Sequence, residues 1–262
     1  MGTAEELPTV ISFCSGYGGI ERGIELAGVE HRVIAYVEIE AFAIANLVAK
    51  MESGQLDPAP IWTDLKTFPA HLFSDRTSII TSGYPCQPFS AAGKRQGTDD
   101  PRHLWPYIRQ HIQTIRPERT FFENVEGHIS LGLSSVISDL EEDGFAATWG
   151  IFSAREVGAP HQRKRVYILA DTCGQRLQGG GIARNTSCKE SKPNDQFASR
   201  CGTAQVGKWK PEPRVGRVVD GCADRVDRIK LLGNAVVPQT AAKAWKILGE
   251  RNEFDKKPKR NN

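Results

Sequence analysis

The sequence predicts an α/β protein with a doubly wound, mostly parallel β-sheet and a small irregular lobe near the end of the chain. The sheet is predicted because short β-branched or apolar runs alternate with amphipathic stretches over residues 1–170, as in successive β-α-β units. The lobe is predicted because this alternation stops near residue 171. A length of 262 residues, with 39% hydrophobic and 25% charged residues, suits one globular domain with a small second lobe.

Each element of this architecture follows from a local pattern. Runs rich in β-branched and aromatic residues predict strands at residues 10–14, 32–38, 79–82, 120–123, 147–152 and 166–170. Helices are predicted between the first three strands at residues 19–27 and 40–51. Apolar residues spaced by three or four positions predict further helices around residues 104–115 and 133–140, and a closing helix is predicted at residues 239–248.

These patterns divide the chain into four parts. Residues 1–170 form the main domain, residues 171–224 the lobe, residues 225–250 return to the main domain, and residues 251–262 form a polar tail that we expect to be disordered. Nine Lys or Arg residues face three Asp or Glu residues between positions 176 and 217, a local charge of +6. Such an excess is typical of a solvated loop or of a surface that contacts nucleic acid.

Composition limits the compartment and several classes of site. No apolar run is long enough to cross a bilayer, and the first residues carry acids where a signal peptide carries bases, so we expect a cytoplasmic protein with no membrane partner. The six cysteines include no Cys-x-x-Cys pair, so we expect reduced thiols. A zinc site built from the last four cysteines is the alternative, but their separations of 15, 13 and 21 residues fit no usual ligand pairing, so we expect no metal. A net charge of +3 permits a nucleic-acid partner without requiring one.

A glycine loop predicts a cofactor site after the first strand. The segment Ser15-Gly16-Tyr17-Gly18-Gly19 separates that strand from the first helix, where glycines allow a sharp turn and helix N–H groups are free to bind a ligand. Glu38 ends the second strand, where an acid commonly binds ribose hydroxyls. Together they indicate a nucleoside-bearing cofactor. Asp64 could accept from an adenine amino group, although an isolated loop aspartate is more often a helix cap.

A second loop predicts nucleophilic chemistry at the same edge of the sheet. Cys86 follows the strand at residues 79–82 and stands between two prolines, which stiffen the loop around its thiol. Glu123 and Asn124 end the next strand. Because the carboxyl ends of parallel strands meet at one edge, we expect the thiol, the carboxylate and the cofactor loop to converge there.

The ordered set of motifs resembles the DNA (cytosine-5) methyltransferase family. Pro85-Cys86-Gln87 combined with Glu123-Asn124-Val125 is highly specific, residues 158–167 resemble the paired-arginine segment, and residues 233–238 resemble the closing motif. The resemblance covers residues 12–170 and 225–241. It implies the S-adenosylmethionine-dependent variant of the doubly wound sheet, S-adenosyl-L-methionine as the cofactor, and double-stranded DNA as the partner.

The resemblance also assigns site residues. It implies catalytic roles for Cys86, Glu123, Arg163 and Arg165. It implies a cofactor pocket formed by Phe13, Cys14, Ser15, Gly16, Gly18, Gly19, Glu38, Ile39, Asp64, Leu65, Pro85, Leu104, Asn234 and Ala235. We expect contacts with the substrate from Gln87, Ser90, Asn124, Lys208, Lys210 and Arg214.

The sequence departs from the family pattern in two places. Ser12-Phe13-Cys14 stands where the first motif usually reads Asp-Leu-Phe, so the aromatic residue that packs on adenine is replaced by Cys14. Either Phe13 or Ile39 must then pack on the adenine in its place, or the affinity for the cofactor is lower. Residues 171–224, where the family keeps its target recognition domain, match no recognition sequence, but their positive charge favours contact with DNA.

Three other functions are also compatible with the sequence. A nicotinamide-dependent oxidoreductase would share the glycine loop but leaves Cys86 and the two arginines without a role. A catalytically silent DNA-binding protein is disfavoured by the retained catalytic set, and an RNA cytosine methyltransferase is a closer rival. We expect a monomer in a bacterial cell or a phage-infected host, with a possible restriction endonuclease acting on the same site.

Overall fold

The computed structural model describes residues 6–85, 103–173 and 235–256. Within these residues, one sheet of seven strands has the order β3-β2-β1-β4-β5-β7-β6. The strands are β1 (Thr9–Phe13), β2 (Arg32–Val37), β3 (Ile61–Trp62), β4 (Ile79–Ser82), β5 (Arg119–Val125), β6 (Phe145–Ser153) and β7 (Lys164–Thr172). The helices are α1 (Gly19–Leu26), α2 (Ala41–Glu52), α3 (Trp105–Ile115), α4 (His128–Leu131), α5 (Leu133–Glu142) and α6 (Pro238–Lys256).

The strand order reverses direction at β1. From β1 the chain winds outwards through β2 and β3 on one side, and it returns through β4 and β5 on the other. These five strands are mutually parallel, whereas β7 lies antiparallel between β5 and β6. In an open α/β sheet the ligand crevice lies beyond the carboxyl ends of the strands at this reversal. The crevice therefore lies beside the glycine loop that follows β1.

Two apolar layers cover the faces of the sheet. Ile11 points into the layer filled by α3 and α5, while Val10 points into the layer filled by α1 and α6. Side chains of successive strand residues alternate between the faces, so β1, which is covered on both, is buried without interruption from Val10 to Phe13. The layers fix the carboxyl ends of β1, β4 and β5 relative to one another.

Close contact between α1 and α6 joins the end of the chain to the glycine loop. A Cβ atom added at Gly23 would lie 2.5 Å from the Cβ of Ala241, and one at Gly19 would lie 2.9 Å from the carbonyl oxygen of Val236. Real Cβ atoms do not approach other atoms so closely. These two glycines therefore allow the segment that begins at Ala235 to pass directly beside the loop.

The predicted elements are confirmed to within a few residues at each end, and the strand at residues 79–82 has the predicted bounds. The prediction was wrong at the closing helix, which runs through Lys256 and so includes the start of the predicted polar tail. The extension is anchored because Asn252 is buried and its amide donates to the carboxylate of Asp171 at 3.2 Å. Most of the predicted lobe, residues 174–224, lies outside the described residues.

Candidate active site

The glycine loop forms one wall of a cavity at the reversal of the sheet. Cys14, Gly16 and Gly18 have φ values of 50°, 56° and 79°, in the left-handed region, which turns the chain sharply between β1 and α1. The turn is closed by a hydrogen bond from the amide of Gly18 to the carbonyl of Ser15, 3.0 Å long. The opposite wall is formed by Gly83, after β4, and by Ala235 and Val236, before α6.

Glu38 fastens the glycine loop to the end of β2. Its Oε2 accepts a hydrogen bond from the amide of Gly16 at 2.7 Å, and its Oε1 accepts from the amides of Ile39 and Glu40 at 2.9 Å. Glu38 is buried. A carboxylate has about four acceptor positions, so this arrangement retains capacity for hydroxyl donors of a ligand.

The two positions that depart from the family pattern have different environments. Phe13 is completely buried in the core, where its ring packs edge-to-face on Phe68 at 5.4 Å between centroids. Its ring is therefore committed to the core, while Ile39 is 73% exposed and free to cover a flat ligand. Cys14 lines the cavity, and burial, with a smaller effect of Glu38, raises the pKa of its thiol to about 12. The Cys14 thiol is therefore neutral at physiological pH.

Other residues predicted to bind the cofactor do not line the cavity. The carboxylate of Asp64 accepts from the amide of Lys66 at 2.9 Å, which is the helix cap that the sequence left open as the alternative. Leu65 is buried in the core, and Leu104 is partly buried against it. Pro85 is exposed beyond β4.

The predicted set and the observed cavity overlap only in part. Of the predicted residues, Cys14, Ser15, Gly16, Gly19 and Ala235 line the cavity. Six further residues line the cavity and were not predicted to do so: Ser12, Tyr17, Ile20, Glu21, Gly83 and Val236. Ile20, Glu21 and Val236 could have been found from their positions, because they adjoin the glycine loop and the closing motif.

Glu123 lies on β5 beside this cavity. It is 7% exposed, and its Oε1 forms an ion pair with Nε of Arg165 at 2.9 Å. Glu123 pairs with Tyr167 across the antiparallel ladder, so Arg165, two residues before Tyr167, projects to the same face. Burial raises the pKa of Glu123 to about 7, although the two arginines at 165 and 163 oppose this shift. Near neutral pH this carboxyl group therefore exists in both the protonated and the ionised forms.

Arg163 connects the carboxylate to the closing segment. Its guanidinium donates to the carbonyl oxygen of Ala235. Burial and the neighbouring charge of Arg165 lower its pKa, while the charge of Glu123 opposes that shift. Arg163 therefore belongs to one electrostatic cluster with Glu123 and Arg165.

Asn124 binds protein rather than open space. It is buried, its Nδ2 donates to the carbonyl of Tyr84 at 3.2 Å, and its Oδ1 accepts from the amide of Val125 at 2.8 Å. The Tyr84 hydroxyl is hydrogen-bonded to Nε2 of His128 at 3.0 Å in the core. These contacts fix the chain two residues before Cys86. The predicted contact of Asn124 with the substrate stays a prediction.

Gly83 lies between the carboxylate and the glycine loop. A Cβ atom there would be 3.8 Å from Oε2 of Glu123 and 3.7 Å from the carbonyl oxygen of Cys14. Ser82 pairs with Phe122, so β4 and β5 end side by side. The chain therefore enters the Cys86 segment from the edge where Glu123 lies. Seven residues predicted to form the site fall outside the described residues: Cys86, Gln87, Ser90, Lys208, Lys210, Arg214 and Asn234.

Two solved structures with the same fold are of DNMT2 proteins. A mutant of DNMT2 from Spodoptera frugiperda aligns with a TM-score of 0.53 and 22% identity, over 68% of this chain and 54% of that chain. Dnmt2 methyltransferase from S. pombe aligns with a TM-score of 0.53 and 24% identity, over 68% and 57%. The protein therefore has the fold of the S-adenosylmethionine-dependent methyltransferases.

The family follows from the sequence comparison. The family model for C-5 cytosine-specific DNA methylase matches residues 8–208, and the chain belongs to this family. The Type II methyltransferase M.NaeI of Lentzea aerocolonigenes is 30% identical over 165 residues, which are 62% of this chain and 39% of that protein. M.BanI of Aneurinibacillus aneurinilyticus is 29% identical over 211 residues, which are 77% of this chain and 43% of that protein. The chain thus matches less than half the length of these two relatives.

No helix in the described ranges has the length and apolar character required to span a membrane.

Proposed function

We propose that the chain is a DNA (cytosine-5) methyltransferase that uses S-adenosyl-L-methionine and forms a covalent adduct between Cys86 and a flipped-out cytosine. The observation that carries this proposal is the buried Glu123. Its pKa is about 7, it is paired with Arg165, and it lies beside a glycine-loop cavity at the edge that leads into Cys86. The family match supports the same reaction.

The described residues fit the proposed cofactor. The glycine loop presents backbone amides at the start of α1, Glu38 is held at the end of β2 with further acceptor capacity, and Ile39 offers an exposed apolar surface. When bound, the cofactor supplies an electrophilic methyl group. Ala235 would border this pocket from the closing segment, with Asn234 next to it in the chain.

Cytosine needs activation because its carbon 5 is a weak nucleophile. The thiolate of Cys86 would add to carbon 6, forming a carbon–sulfur bond and moving the electron pair of the 5,6 double bond through the ring towards nitrogen 3. Glu123 in its protonated form would give its proton to nitrogen 3, which leaves a neutral enamine with a nucleophilic carbon 5. After carbon 5 has been methylated, a base removes its proton, the 5,6 double bond re-forms as the thiolate of Cys86 leaves, and nitrogen 3 returns its proton to Glu123.

The two arginines have separate roles in this proposal. Arg165 orients the Glu123 carboxyl group through the ion pair and would hold the carbonyl of the base by a charge-assisted hydrogen bond. Arg163 binds the carbonyl of Ala235 and so connects the reacting edge to the closing segment. Asn124 keeps the chain at Tyr84 in place, which would position the Cys86 loop.

A base inside a duplex cannot reach such a site, so the target cytosine must be flipped out. We assign the grip on duplex DNA to the basic lobe, residues 171–224, because phosphate contacts require the positive charge that this segment carries. The lobe would also select the target sequence. The two relatives are named as Type II methyltransferases, which supports a partner restriction endonuclease acting on the same site.

Incorporation of a labelled methyl group tests the proposal. Purified protein is incubated with labelled S-adenosyl-L-methionine and either duplex DNA or RNA, and bisulfite sequencing then locates the modified base. We expect label in DNA at carbon 5 of cytosine in one short sequence context. Label only in RNA, or binding of a nicotinamide cofactor with no methyl transfer, would contradict the proposal.

A further inference from the structure

A second buried acid, Glu21, lines the same cavity and has no role in the chemistry above. It lies in the first turn of α1, is only 2% exposed, and shares the cavity with Ser12 and Gly19.

The two oxygens of Glu21 have different surroundings. Oε1 accepts a hydrogen bond from the hydroxyl of Thr81 on β4. Oε2 is buried and has no hydrogen-bond partner among the residues that the structure describes. Burying a carboxylate oxygen without a hydrogen-bond donor costs more free energy than an ordinary hydrogen bond contributes to stability. The site therefore favours a ligand that brings a donor, and a cationic donor most of all.

Two protein roles account for the side chain less well. An acid in the first turn of a helix commonly caps it, but Glu21 reaches Thr81, and α1 has no side-chain hydrogen bond at its N-cap Gly18. Lys50 is a nearby cation; burial lowers its pKa, and the charge of Glu21 opposes that shift. Its ammonium group, however, donates to the carbonyl of Tyr17 at 2.7 Å and stands over the Tyr17 ring.

We propose that Oε2 of Glu21 binds the primary ammonium group at the amino-acid end of the cofactor. This inference rests on the proposed function, because it takes an S-adenosyl amino acid to be the ligand. That end of the cofactor carries one ammonium, which is a donor of up to three hydrogen bonds and complements a buried carboxylate. The free amides in the first turn of α1 would lie near the cofactor's own carboxylate, so the cavity would read both charges of the amino acid.

The test measures affinity rather than activity. Isothermal titration calorimetry compares S-adenosylhomocysteine with its analogue lacking the amino group, using the full chain and two variants. Hydrogen bonds to charged groups are worth about a 10- to 100-fold change in affinity, so the wild type should prefer the amino compound by roughly this factor. Glu21→Gln should lose most of the preference while binding the desamino analogue about as well as the wild type.

Glu25→Gln is the matched control, since Glu25 lies on the same helix, is exposed, and among the described residues forms a surface ion pair with Arg22. It should keep the wild-type preference. If the glutamine variant does not fold, Glu21→Asp takes its place, because it retains the charge on a side chain that is one methylene shorter. This variant should lose part of the preference for the amino compound. Thermal unfolding of each variant checks its fold.

An unchanged preference in folded Glu21→Gln, or an equal loss of affinity for both compounds, would overturn the assignment while leaving the proposed function intact. Failure of the wild type to bind S-adenosylmethionine or S-adenosylhomocysteine would instead overturn the proposed cofactor, and this assignment with it.

Discussion

Replacing Glu123 by glutamine removes the proposed proton donor and keeps the side chain's shape. Burial raises the pKa of Glu123 from 4.5 to about 7, so about half of the molecules carry the proton at neutral pH. An unperturbed glutamic acid would be protonated in only about 0.3% of molecules at that pH. We expect Glu123→Gln to slow single-turnover methyl transfer by about 10²- to 10⁴-fold, with a smaller effect on DNA affinity, because the proton matters most as the adduct forms.

The pH profile provides the sharper assay. Rapid-quench measurements with enzyme in excess over DNA should show the wild-type rate falling about tenfold per pH unit above about pH 7, as Glu123 loses its proton. This alkaline decline should be absent from the glutamine variant. Glu126→Gln is the control, since Glu126 is exposed and bonds only weakly to Lys164 at 3.5 Å. A Glu123→Gln rate equal to the wild-type rate, or an alkaline decline that persists in the variant, would refute the assignment.

The same pKa predicts an effect on stability that requires no DNA. Glu123 binds its proton more tightly in the folded state than in the unfolded state, so the folded protein loses stability as the pH rises from about 4.5 to about 7. Relative to Glu123→Gln, the wild-type free energy of unfolding should fall by about 3 kcal/mol across this window. Urea unfolding at about pH 4.5 and about pH 8 measures the difference. Parallel pH dependence in the two proteins would contradict the pKa shift.

Three further predictions concern the nucleophile, the α1–α6 contact and the basic lobe. Cys86→Ser should abolish turnover while retaining DNA binding, because a hydroxyl is a far poorer nucleophile at neutral pH. A methylation assay measures turnover and a gel-shift assay measures DNA binding. Near-normal methylation by this variant would show that Cys86 is not the nucleophile. Gly23→Ala should destabilise the fold by about 1–3 kcal/mol in urea unfolding, since its Cβ would collide with α6. Gly249→Ala is the control, because a Cβ at this helical position meets open space, and it should stabilise the fold by up to about 1 kcal/mol. Equal effects of the two substitutions on stability would contradict the close contact between α1 and α6. Three basic residues of the lobe, Lys208, Lys210 and Arg214, are replaced by alanine. Duplex binding should weaken and its salt dependence should become less steep, while cofactor affinity should not change. An unchanged dependence of DNA affinity on salt concentration would mean that the phosphates are bound elsewhere on the protein.

The sequence predicted the framework because the signals for buried strands and amphipathic helices are local. The strand at residues 79–82 and the helix at Trp105–Ile115 were recognisable from β-branched runs and from apolar spacing alone. The placement of β7 between β5 and β6 was not predictable in this way, since strand order depends on contacts between distant segments. The extension of the closing helix was not predictable because Asn252, which anchors it, is polar. The burial of Asn252 depends on Asp171, which lies 81 residues away in the sequence.

The site shows the same division. Glycines and charged residues in motifs made the loop at residues 15–19 and Glu123 predictable as parts of the site. The sequence does not reveal which side chains become buried partners of one another. Asn124 was assigned to the substrate, and its hydrogen bond to Tyr84 emerges only when β4 and β5 lie side by side. Glu21 resembled an ordinary first-turn acid, and its burial against Thr81 depends on how α1 packs on the sheet.

Covalent trapping of the enzyme on DNA tests the central claim most directly. Duplexes carrying 5-fluorocytosine at the target position are incubated with the protein and S-adenosyl-L-methionine, and the products are resolved on a denaturing gel. Fluorine cannot leave as a cation, so the release of Cys86 should stall, and we expect a protein–DNA adduct that survives denaturation and is absent from Cys86→Ser. If ordinary DNA is methylated under the same conditions while the fluorinated duplex yields no adduct, the reaction proceeds without a covalent enzyme intermediate, and the mechanism proposed for Cys86 and Glu123 is wrong.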